Sequence, residues 1–275
     1  MIFVAGASGN VGNAVVQQLA RGGFGVRAFC RKPGEQQWPD GVEAVSGDLN
    51  DVASISAHLD GVDAIFMMPG YAGGDELMKT LAGVERVVLL SANSAVNDDL
   101  ENVVARYHVL SERAVRDSGA AWTILRPVSF MTNTLQWVPQ LGEGDEVHEP
   151  FADVSVAVID PHDIARVAVT ALTNDGHAEQ TYRLTGPAPL LPADRARLLG
   201  EALGRNLQFI AQADDDARIA LKGRMEPPYI DAFFDFFRSG NYDEATISTS
   251  VEDVTGRAPV TFAEWARNNA AAFQA

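Results

Sequence analysis

The sequence predicts an α/β fold in which a doubly wound parallel sheet is followed by a small α/β lobe. Three observations predict it: apolar runs alternate with helical stretches, a glycine-rich turn joins the first run to the first helix, and the alternation loosens beyond Pro127. Strands that alternate with helices are typical of a parallel sheet covered on both faces. A chain of 275 residues, 47% of them hydrophobic, is long enough to bury such a core.

Six short apolar runs in the first half are predicted strands, because each is rich in β-formers and is bounded by turn or polar residues. They are residues 2–5, 25–30, 42–46, 62–68, 87–90 and 122–125. Apolar side chains at helical spacing predict helices over residues 11–21, 52–59 and 100–117. Asn50 and Asp51 are candidates to cap the second of these helices. Between residues 70 and 86 the crossover has room for about two helical turns, at residues 76–81.

The second half is less regular. Residues 141–149 carry two glycines and four acids and are predicted to form a loop. Strands are expected at 154–159 and 181–184, and helices at about 162–172, 193–203 and 229–238. Thr261 and Glu264 fit a capping box that opens a last helix. We expect residues 1–150 to form the core, residues 151–186 to return to it, and residues 187–275 to form the smaller C-terminal lobe that binds the substrate.

The charge and the cysteine content argue against several classes of function. The net charge is −16 and the pI about 4.6, and such a surface repels nucleic acids and anionic membranes. One cysteine, Cys30, permits no internal disulfide, which fits a reducing cytoplasm. The histidines lack the spacing of metal ligands, and no leader or membrane segment is recognisable. We therefore expect a cytoplasmic protein that holds no metal and binds neither nucleic acid nor membrane.

A glycine-rich turn follows the first predicted strand and opens the first helix: Gly6-Ala7-Ser8-Gly9-Asn10-Val11-Gly12. We expect Gly6 to permit a tight turn, Gly9 to let the backbone approach a pyrophosphate, and Gly12 to let the helix lie close to the sheet. The helix N-terminus then offers amides and a partial positive charge to phosphates. In this context the motif predicts a Rossmann-type dinucleotide site, with a ligand-free turn as the alternative.

The end of the second predicted strand selects the cofactor. Enzymes that bind NAD place an acidic residue there, about 20 residues past the glycines, to hold the ribose hydroxyls. This chain has Arg31 and Lys32 instead, and a guanidinium binds a 2′-phosphate through two hydrogen bonds. The pair therefore favours NADP(H) over NAD(H). The alternative is that both are ordinary solvated charges.

The chain resembles a known family over nearly its whole length. The resemblance is carried by residues 6–12, 31–33, 47–49, 88–91, 118–119, 122–127, 159–165, 184–187 and 254–257, with Phe262 and Trp265. Together they resemble the atypical short-chain dehydrogenase/reductases, in particular the NmrA-like and NAD(P)H-binding quinone-reductase-like branch. The resemblance is more specific for the family than for one activity.

The resemblance implies further cofactor contacts beyond the carboxyl ends of the strands, where open α/β sheets bind ligands. Asp48 and Leu49 are expected at the adenine, and Ser91 at the nicotinamide ribose. Met67, Met68 and Pro69 are expected to line the groove, and Pro127, Val128 and Phe130 to cover the nicotinamide. The alternatives are that Asp48 caps a helix and that the methionines fill the core.

The proton relay of the wider superfamily is missing. Its carbonyl-reducing members use Tyr-x-x-x-Lys, and none of Lys32, Lys79 and Lys222 follows a tyrosine at that spacing. His108 takes the place of the lysine and precedes Glu112 by four residues, one helical turn. The candidate catalytic residues are therefore His108, Tyr107 and Ser91, with Tyr71 as a weaker candidate for a proton donor.

The missing relay limits the acceptors that the protein is expected to reduce, because reduction of a ketone to an alcohol needs a positioned acid. A quinone, imine or enone is less demanding, since its charge is delocalised or neutralised when hydride arrives. We therefore expect an NADPH-dependent oxidoreductase that acts on such an electron-poor acceptor. The alternatives are a non-catalytic NmrA-like NADP(H) sensor that acts through a protein partner, and a specialised-metabolite reductase or isomerase.

Several aromatic and apolar residues are expected to line a site for a planar or aromatic substrate. They are Phe130, Met131, Trp137, Phe151, Tyr229, Phe233 and Phe237. The alternative is that they form core, which is the commoner role of aromatics at helical spacing. Many members of the family that the chain resembles form dimers through neighbouring helices, but their crossover helix is usually longer. Both a monomer and a homodimer therefore stay open.

Overall fold

The computed structural model describes residues 1–69, 81 and 83–274. Its strands, in chain order, are β1 (Ile2–Ala5), β2 (Val26–Cys30), β3 (Val42–Ser46), β4 (Ala64–Met67), β5 (Arg86–Leu90), β6 (Ala121–Pro127), β7 (Glu146–Glu149), β8 (Gln180–Leu184) and β9 (Gln208–Ala211). Seven of them form one parallel sheet in the order β3-β2-β1-β4-β5-β6-β8. The order reverses direction between β1 and β4, which is the switch point where open α/β sheets bind ligands.

The helices flank this sheet and continue beyond it. They are α1 (Asn10–Arg21), α2 (Val52–Ser56), α3 (Val103–Arg116), α4 (Val138–Leu141), α5 (Pro161–Thr173), α6 (Pro192–Leu203), α7 (Asp214–Leu221), α8 (Pro227–Arg238), α9 (Ser250–Thr255) and α10 (Phe262–Asn268). Short 3₁₀ segments lie at Pro33–Glu35, Asn93–Asn97, Met131–Trp137 and Ala270–Phe273. None of the helices described is long and apolar enough to span a membrane.

Both faces of the large sheet are covered, which explains why β1 is apolar throughout rather than alternating. On one face, Val4 packs with Leu19 of α1 and Ile164 of α5. On the other, Phe3 packs with Val115 of α3. The doubly wound parallel sheet predicted from the sequence is therefore confirmed. Asp51 caps α2, as the sequence suggested, by accepting a hydrogen bond from the amide of Ala53.

A second core lies beyond the large sheet and is built on β7, β9, α6 and α10. It includes Trp137, Leu199, Phe262 and Trp265, so the 3₁₀ segment after β6 contributes to it. Thr261 caps α10 by accepting a hydrogen bond from the amide of Glu264, which is one half of the expected capping box.

Two expectations for the second half were wrong. Residues 154–159 form no strand and make only isolated bridges, at Val156 and Ile159. Their apolar side chains are instead buried by the cores on either side, and a short apolar run cannot distinguish these cases. Residues 141–149, expected to form a loop, include β7, which pairs with β9 in a small parallel sheet. Only Val147 of β7 is fully buried, and the charges around it hide the strand pattern.

Candidate active site

The glycine turn after β1 is shaped by close backbone contacts. Gly6 has a φ of +64°, a left-handed conformation that favours glycine, and its carbonyl accepts a hydrogen bond of 2.9 Å from the amide of Gly9. A Cβ atom on Gly12 would lie 2.2 Å from the carbonyl oxygen of Gly6. Only glycine therefore allows α1 to approach the turn this closely.

The N-terminus of α1 is open to an anion. Its N-cap is Gly9, no side chain caps it, and its first turn contains no acidic residue. The first amides of the helix and its dipole therefore favour a phosphate at this point. Ser8 and Asn10 are exposed beside it, whereas Val11 is buried against the sheet. The turn fits the pyrophosphate of a dinucleotide.

The two basic residues after β2 differ in their surroundings. The ammonium group of Lys32 lies 2.8 Å from the carboxylate of Glu35, and both side chains are exposed. Arg31 is also exposed, but its side chain forms no hydrogen bond or ion pair with any residue that the structure describes. Arg31 is therefore the cation that is available to a 2′-phosphate at this edge.

Asp48 and Leu49 lie in the loop that follows β3. Oδ1 of Asp48 accepts a hydrogen bond of 2.9 Å from the amide of Asn50, which holds the loop in a tight turn. Leu49 is half-buried and packs against the sheet. Asp51, and not Asp48, caps α2. Asp48 instead stabilises the loop that, by the family resemblance, is expected at the adenine.

The residues at the end of β4 divide between core and groove. Met67 is buried, which agrees with the core-filling alternative. Met68 is half-buried, and a Cβ atom on Gly6 would lie 2.3 Å from its sulfur, so its side chain packs on the glycine turn. Pro69 is buried, and its carbonyl accepts a hydrogen bond of 2.6 Å from the hydroxyl of Tyr107. Tyr71, the weaker candidate donor, lies outside the described residues, as do residues 76–80 of the helix predicted before β5.

Ser91, just after β5, belongs to a buried ionic cluster. Its hydroxyl donates a hydrogen bond of 2.7 Å to Glu112, which also accepts hydrogen bonds from Arg126 and Arg116. Burial raises the pKa of Glu112, but the hydrogen bonds from Arg126 and Ser91 and the charges of both arginines outweigh it, and the net shift is downward. Glu112 therefore stays ionised and holds the Ser91 hydroxyl in place.

His108 lies one turn before Glu112 in α3 without a hydrogen bond to it. Its Nδ1 is buried and has no partner among the described residues. Burial lowers the pKa of His108 to about 4, although the charge of Glu112 acts in the opposite direction. At neutral pH His108 is therefore uncharged. Burial also raises the pKa of Tyr107, whose ring packs edge-on against His108.

A cavity of about 730 Å³ lies between the end of β6 and the second core. Ser129 and Phe130, which follow β6, form one side of it, and residues of β7, α6, α7 and α8 and of the segment 150–158 also line it. Its aromatic lining consists of Phe130, Phe151, Phe233 and Phe237. The last three form one cluster in which the rings of Phe151 and Phe237 stack at 4.8 Å. This volume is typical of sites for small molecules.

Three residues expected to line this site lie elsewhere. Met131 and Trp137 are fully buried in the second core, because the 3₁₀ segment that carries them turns inward. Tyr229 is 51% exposed near the start of α8 and is absent from the cavity lining. Pro127 and Val128 are buried at the end of β6, beneath the turn that leads into the cavity.

The cavity also contains a buried charged pair that the sequence did not indicate. Nη2 of Arg195 in α6 lies 2.9 Å from Oε1 of Glu149 in β7, and both residues line the cavity. The guanidinium lies 5.3 Å above the ring of Trp137. Trp137 therefore acts on the cavity through Arg195 and not by lining it.

Sequence reasoning also missed Glu244, a buried carboxyl group near the end of β6. It accepts hydrogen bonds from the amide of Ser129 at 2.9 Å and from the side chain of Asn93 at 2.8 Å. No local signal in the polar stretch after α8 identifies it, because its partners lie more than 100 residues earlier in the chain.

Comparisons with known proteins agree with this geometry. The model of a family described as NAD(P)H-binding matches residues 6–175. The chain is 37% identical, over 99% of both chains, to a (4-alkanoyl-5-oxo-2,5-dihydrofuran-3-yl)methyl phosphate reductase of Streptomyces griseus subsp. griseus. It is 33% identical, over the whole of both chains, to an NAD(P)H azoreductase of Xenophilus azovorans.

A solved structure with the same fold is an NADPH-dependent quinone oxidoreductase of Escherichia coli in complex with NADPH. It is 22% identical, covers 98% of this chain and 99% of its own, and superposes with a TM-score of 0.78. The expected resemblance to quinone-reductase-like proteins is confirmed. With the glycine turn, the matched family and two full-length relatives in agreement, the chain belongs to the NAD(P)H-binding family and is an NAD(P)H-dependent oxidoreductase.

Proposed function

We propose that this oxidoreductase uses NADPH to reduce a small, planar, electron-poor acceptor held in the aromatic cavity. The observation that carries the proposal is the position of this cavity. It opens beside Ser129 and Phe130 at the end of β6, on the opposite side of β1 from Arg31. A dinucleotide that extends across the switch point, with its adenine end toward Arg31, directs its nicotinamide end toward the cavity.

Different residues bind different parts of the cofactor. The turn at Gly6, Gly9 and Gly12 takes the pyrophosphate, and Arg31 takes the 2′-phosphate and so favours NADPH over NADH. Asp48 and Leu49 support the adenine side, while Met68 and Pro69 border the groove. The bound cofactor supplies a hydride, which is two electrons and one hydrogen nucleus. Ser91, held by Glu112, is placed for the nicotinamide ribose.

The cavity selects the acceptor by shape and polarity. Flat aromatic walls at Phe130, Phe151 and Phe233 suit a planar conjugated molecule, and orientation beside the nicotinamide then contributes most of the catalysis. The Arg195–Glu149 pair offers a polar contact within the same cavity. The names of the two full-length relatives, an oxo-dihydrofuran phosphate reductase and an azoreductase, support acceptors of this class.

We further propose a cytoplasmic protein that acts on such small molecules as a monomer or a homodimer. The buried thiol of Cys30 and the absence of a membrane-spanning helix from the described residues support the location. Light scattering at several protein concentrations distinguishes the two assembly states.

The test is an NADPH-oxidation assay against a quinone, an azo dye, an imine, an enone and an unconjugated ketone. We expect turnover with at least one of the first four and none with the ketone. Tight NADPH binding without turnover of any acceptor would contradict the proposal and favour a redox sensor that acts through a protein partner.

A further inference from the structure

The buried carboxyl group of Glu244 has no part in the cofactor site described above. Its residue is 4% exposed, in the loop between α8 and α9. Oε1 accepts a hydrogen bond of 2.8 Å from the amide group of Asn93, and Oε2 accepts two from Ser129, at 2.9 Å from the amide and 3.3 Å from the hydroxyl. The loop is thereby bound to the residues that follow β5 and β6.

Ser129 connects this carboxyl group to the cavity. The residue is half-buried and lines the cavity, whereas Glu244 lies behind it and is absent from the lining. The Ser129 hydroxyl is thus the group through which a proton can pass from the buried carboxyl group to a molecule in the cavity.

The position of Ser129 along the sheet places it toward the reactive end of the cofactor. Arg31 follows β2 on one side of β1, and Ser129 follows β6 on the other side, beyond β4 and β5. Because ligands of open α/β sheets lie beyond the carboxyl ends of the strands, a nicotinamide directed away from Arg31 approaches the turn that contains Ser129.

The burial of Glu244 allows its carboxyl group to hold a proton near neutral pH. Burial raises the pKa of Glu244 to about 7, although hydrogen bonds from Ser129 and Asn93 and the charge of Arg183 act in the opposite direction. Arg183 of β8 is itself bound to Asp243, whose pKa is lowered mainly by backbone hydrogen bonds, above all from Thr246.

We propose that Ser129 is a catalytic residue that donates a proton to the reduced acceptor, and that Glu244 is the positioning residue that replenishes it. The inference rests on the proposed function. A neutral quinone, azo compound or enone that gains a hydride becomes a monoanion. Oγ of Ser129 gives its proton to that anion and receives the carboxyl proton of Glu244, and solvent then reprotonates Glu244. No further oxidant or reductant is required.

The first test compares the wild type with Ser129→Ala, Glu244→Gln and the double variant. With a naphthoquinone as acceptor, we expect kcat to fall about 100-fold in each single variant, the size of a lost general acid. The double variant should be no slower than either single variant, because the two groups act in one relay. NADPH affinity should be unchanged. Ser118→Ala is the matched control and should retain full activity, because this hydroxyl precedes the amino end of β6, whereas Ser129 follows its carboxyl end.

The pH profile separates a proton relay from a structural role. In the wild type, kcat should fall as pH rises through about 7, because Glu244 must be protonated. In Glu244→Gln this dependence should disappear. A triarylmethyl cation dye provides a second control. Hydride alone neutralises this cation, so the variants should reduce it at the wild-type rate.

A spectroscopic measurement tests the carboxyl group without turnover. Infrared spectra of the NADP-bound protein should show a protonated carboxyl band that disappears as pH rises through about 7 and is absent from Glu244→Gln. In Ser129→Ala the band should shift, because its hydrogen bond is lost.

Three results would overturn the inference: undiminished quinone turnover in Ser129→Ala, an unchanged pH profile in Glu244→Gln, or a Glu244 carboxyl group that stays ionised down to pH values well below 7. If the wild type reduces no acceptor at all, the proposed function fails and the relay fails with it. If the wild type is active and the variants match it, only the relay fails.

Discussion

A Cβ atom on Gly12 would lie 2.2 Å from the carbonyl oxygen of Gly6, closer than real Cβ contacts come. Gly12→Ala must therefore push α1 away from the turn that receives the pyrophosphate. We expect it to cost about 1–3 kcal/mol of stability, as overpacking does, and to weaken NADPH binding. Thermal unfolding and calorimetric titration measure both. Gly34→Ala, where an added Cβ meets nothing within 4 Å, is the control, and equal behaviour of the two variants would refute the close approach.

Arg31 should determine the choice between the two nicotinamide cofactors. Arg31→Asp removes a charged hydrogen-bonding partner of the 2′-phosphate and introduces repulsion. We expect the affinity for NADPH relative to that for NADH to fall about 10- to 100-fold. Lys32→Gln should change it little, because Lys32 already pairs with Glu35. An unchanged ratio of dissociation constants in Arg31→Asp would eliminate its role.

Phe233 should contribute to the binding of the acceptor and not of the cofactor. Its ring lines the cavity and contacts Phe151 and Phe237. We expect Phe233→Ala to raise KM for the acceptor about 10-fold with NADPH affinity preserved. Phe236→Ala, in the same helix but outside the cavity lining, is the control. Equal loss of both affinities with a lower Tm would instead indicate core packing.

Glu112 should stabilise the fold in a pH-dependent way. It is 1% exposed and is bound by Arg116 and Arg126, so Glu112→Ala should cost about 3 kcal/mol of unfolding free energy. Its pKa is lowered in the folded state, so its contribution is present above the unfolded pKa and is lost as pH falls through the folded value. The difference between wild type and variant should shrink in acid. A difference that does not vary with pH would refute the ionic role of Glu112. The control is Glu201→Ala, which breaks an exposed ion pair with Arg197 and should change the free energy of unfolding by less than about 0.5 kcal/mol.

His108 should not act as a cationic acid. Its pKa of about 4 keeps the imidazole neutral at neutral pH, so His108→Gln should leave the shape of the kcat profile between pH 6 and 8 unchanged. An inflection in that range that is lost in His108→Gln would show that the histidine titrates during turnover.

The sequence was sufficient to predict those features that depend on residues close together in the chain. The glycine turn lies within one β-α-β unit, so local spacing predicted both the fold and the binding of an NAD(P)H cofactor. The choice of NADPH through Arg31 stays a prediction. The sequence was insufficient where charge or burial is decided by distant parts of the chain. The charged residues of β7 gave no strand pattern, because this strand is formed by its pairing with the distant β9. Trp137 was predicted to line the cavity, but its 3₁₀ segment buries it in the second core. Glu244 can be identified as a candidate functional residue only from its hydrogen bonds with Asn93 and Ser129, which lie far from it in the sequence.

The central claim, reduction of a planar acceptor by NADPH in the aromatic cavity, is tested most directly by transfer of label. The protein is mixed with NADPH deuterated at the transferring C4 position and with a panel of enones and imines, whose products retain a C–D bond. We predict oxidation of NADPH in step with acceptor reduction, and deuterium in the product. Stoichiometric NADPH binding with no labelled product from any acceptor, and no oxidation by quinones or azo dyes, would contradict the account.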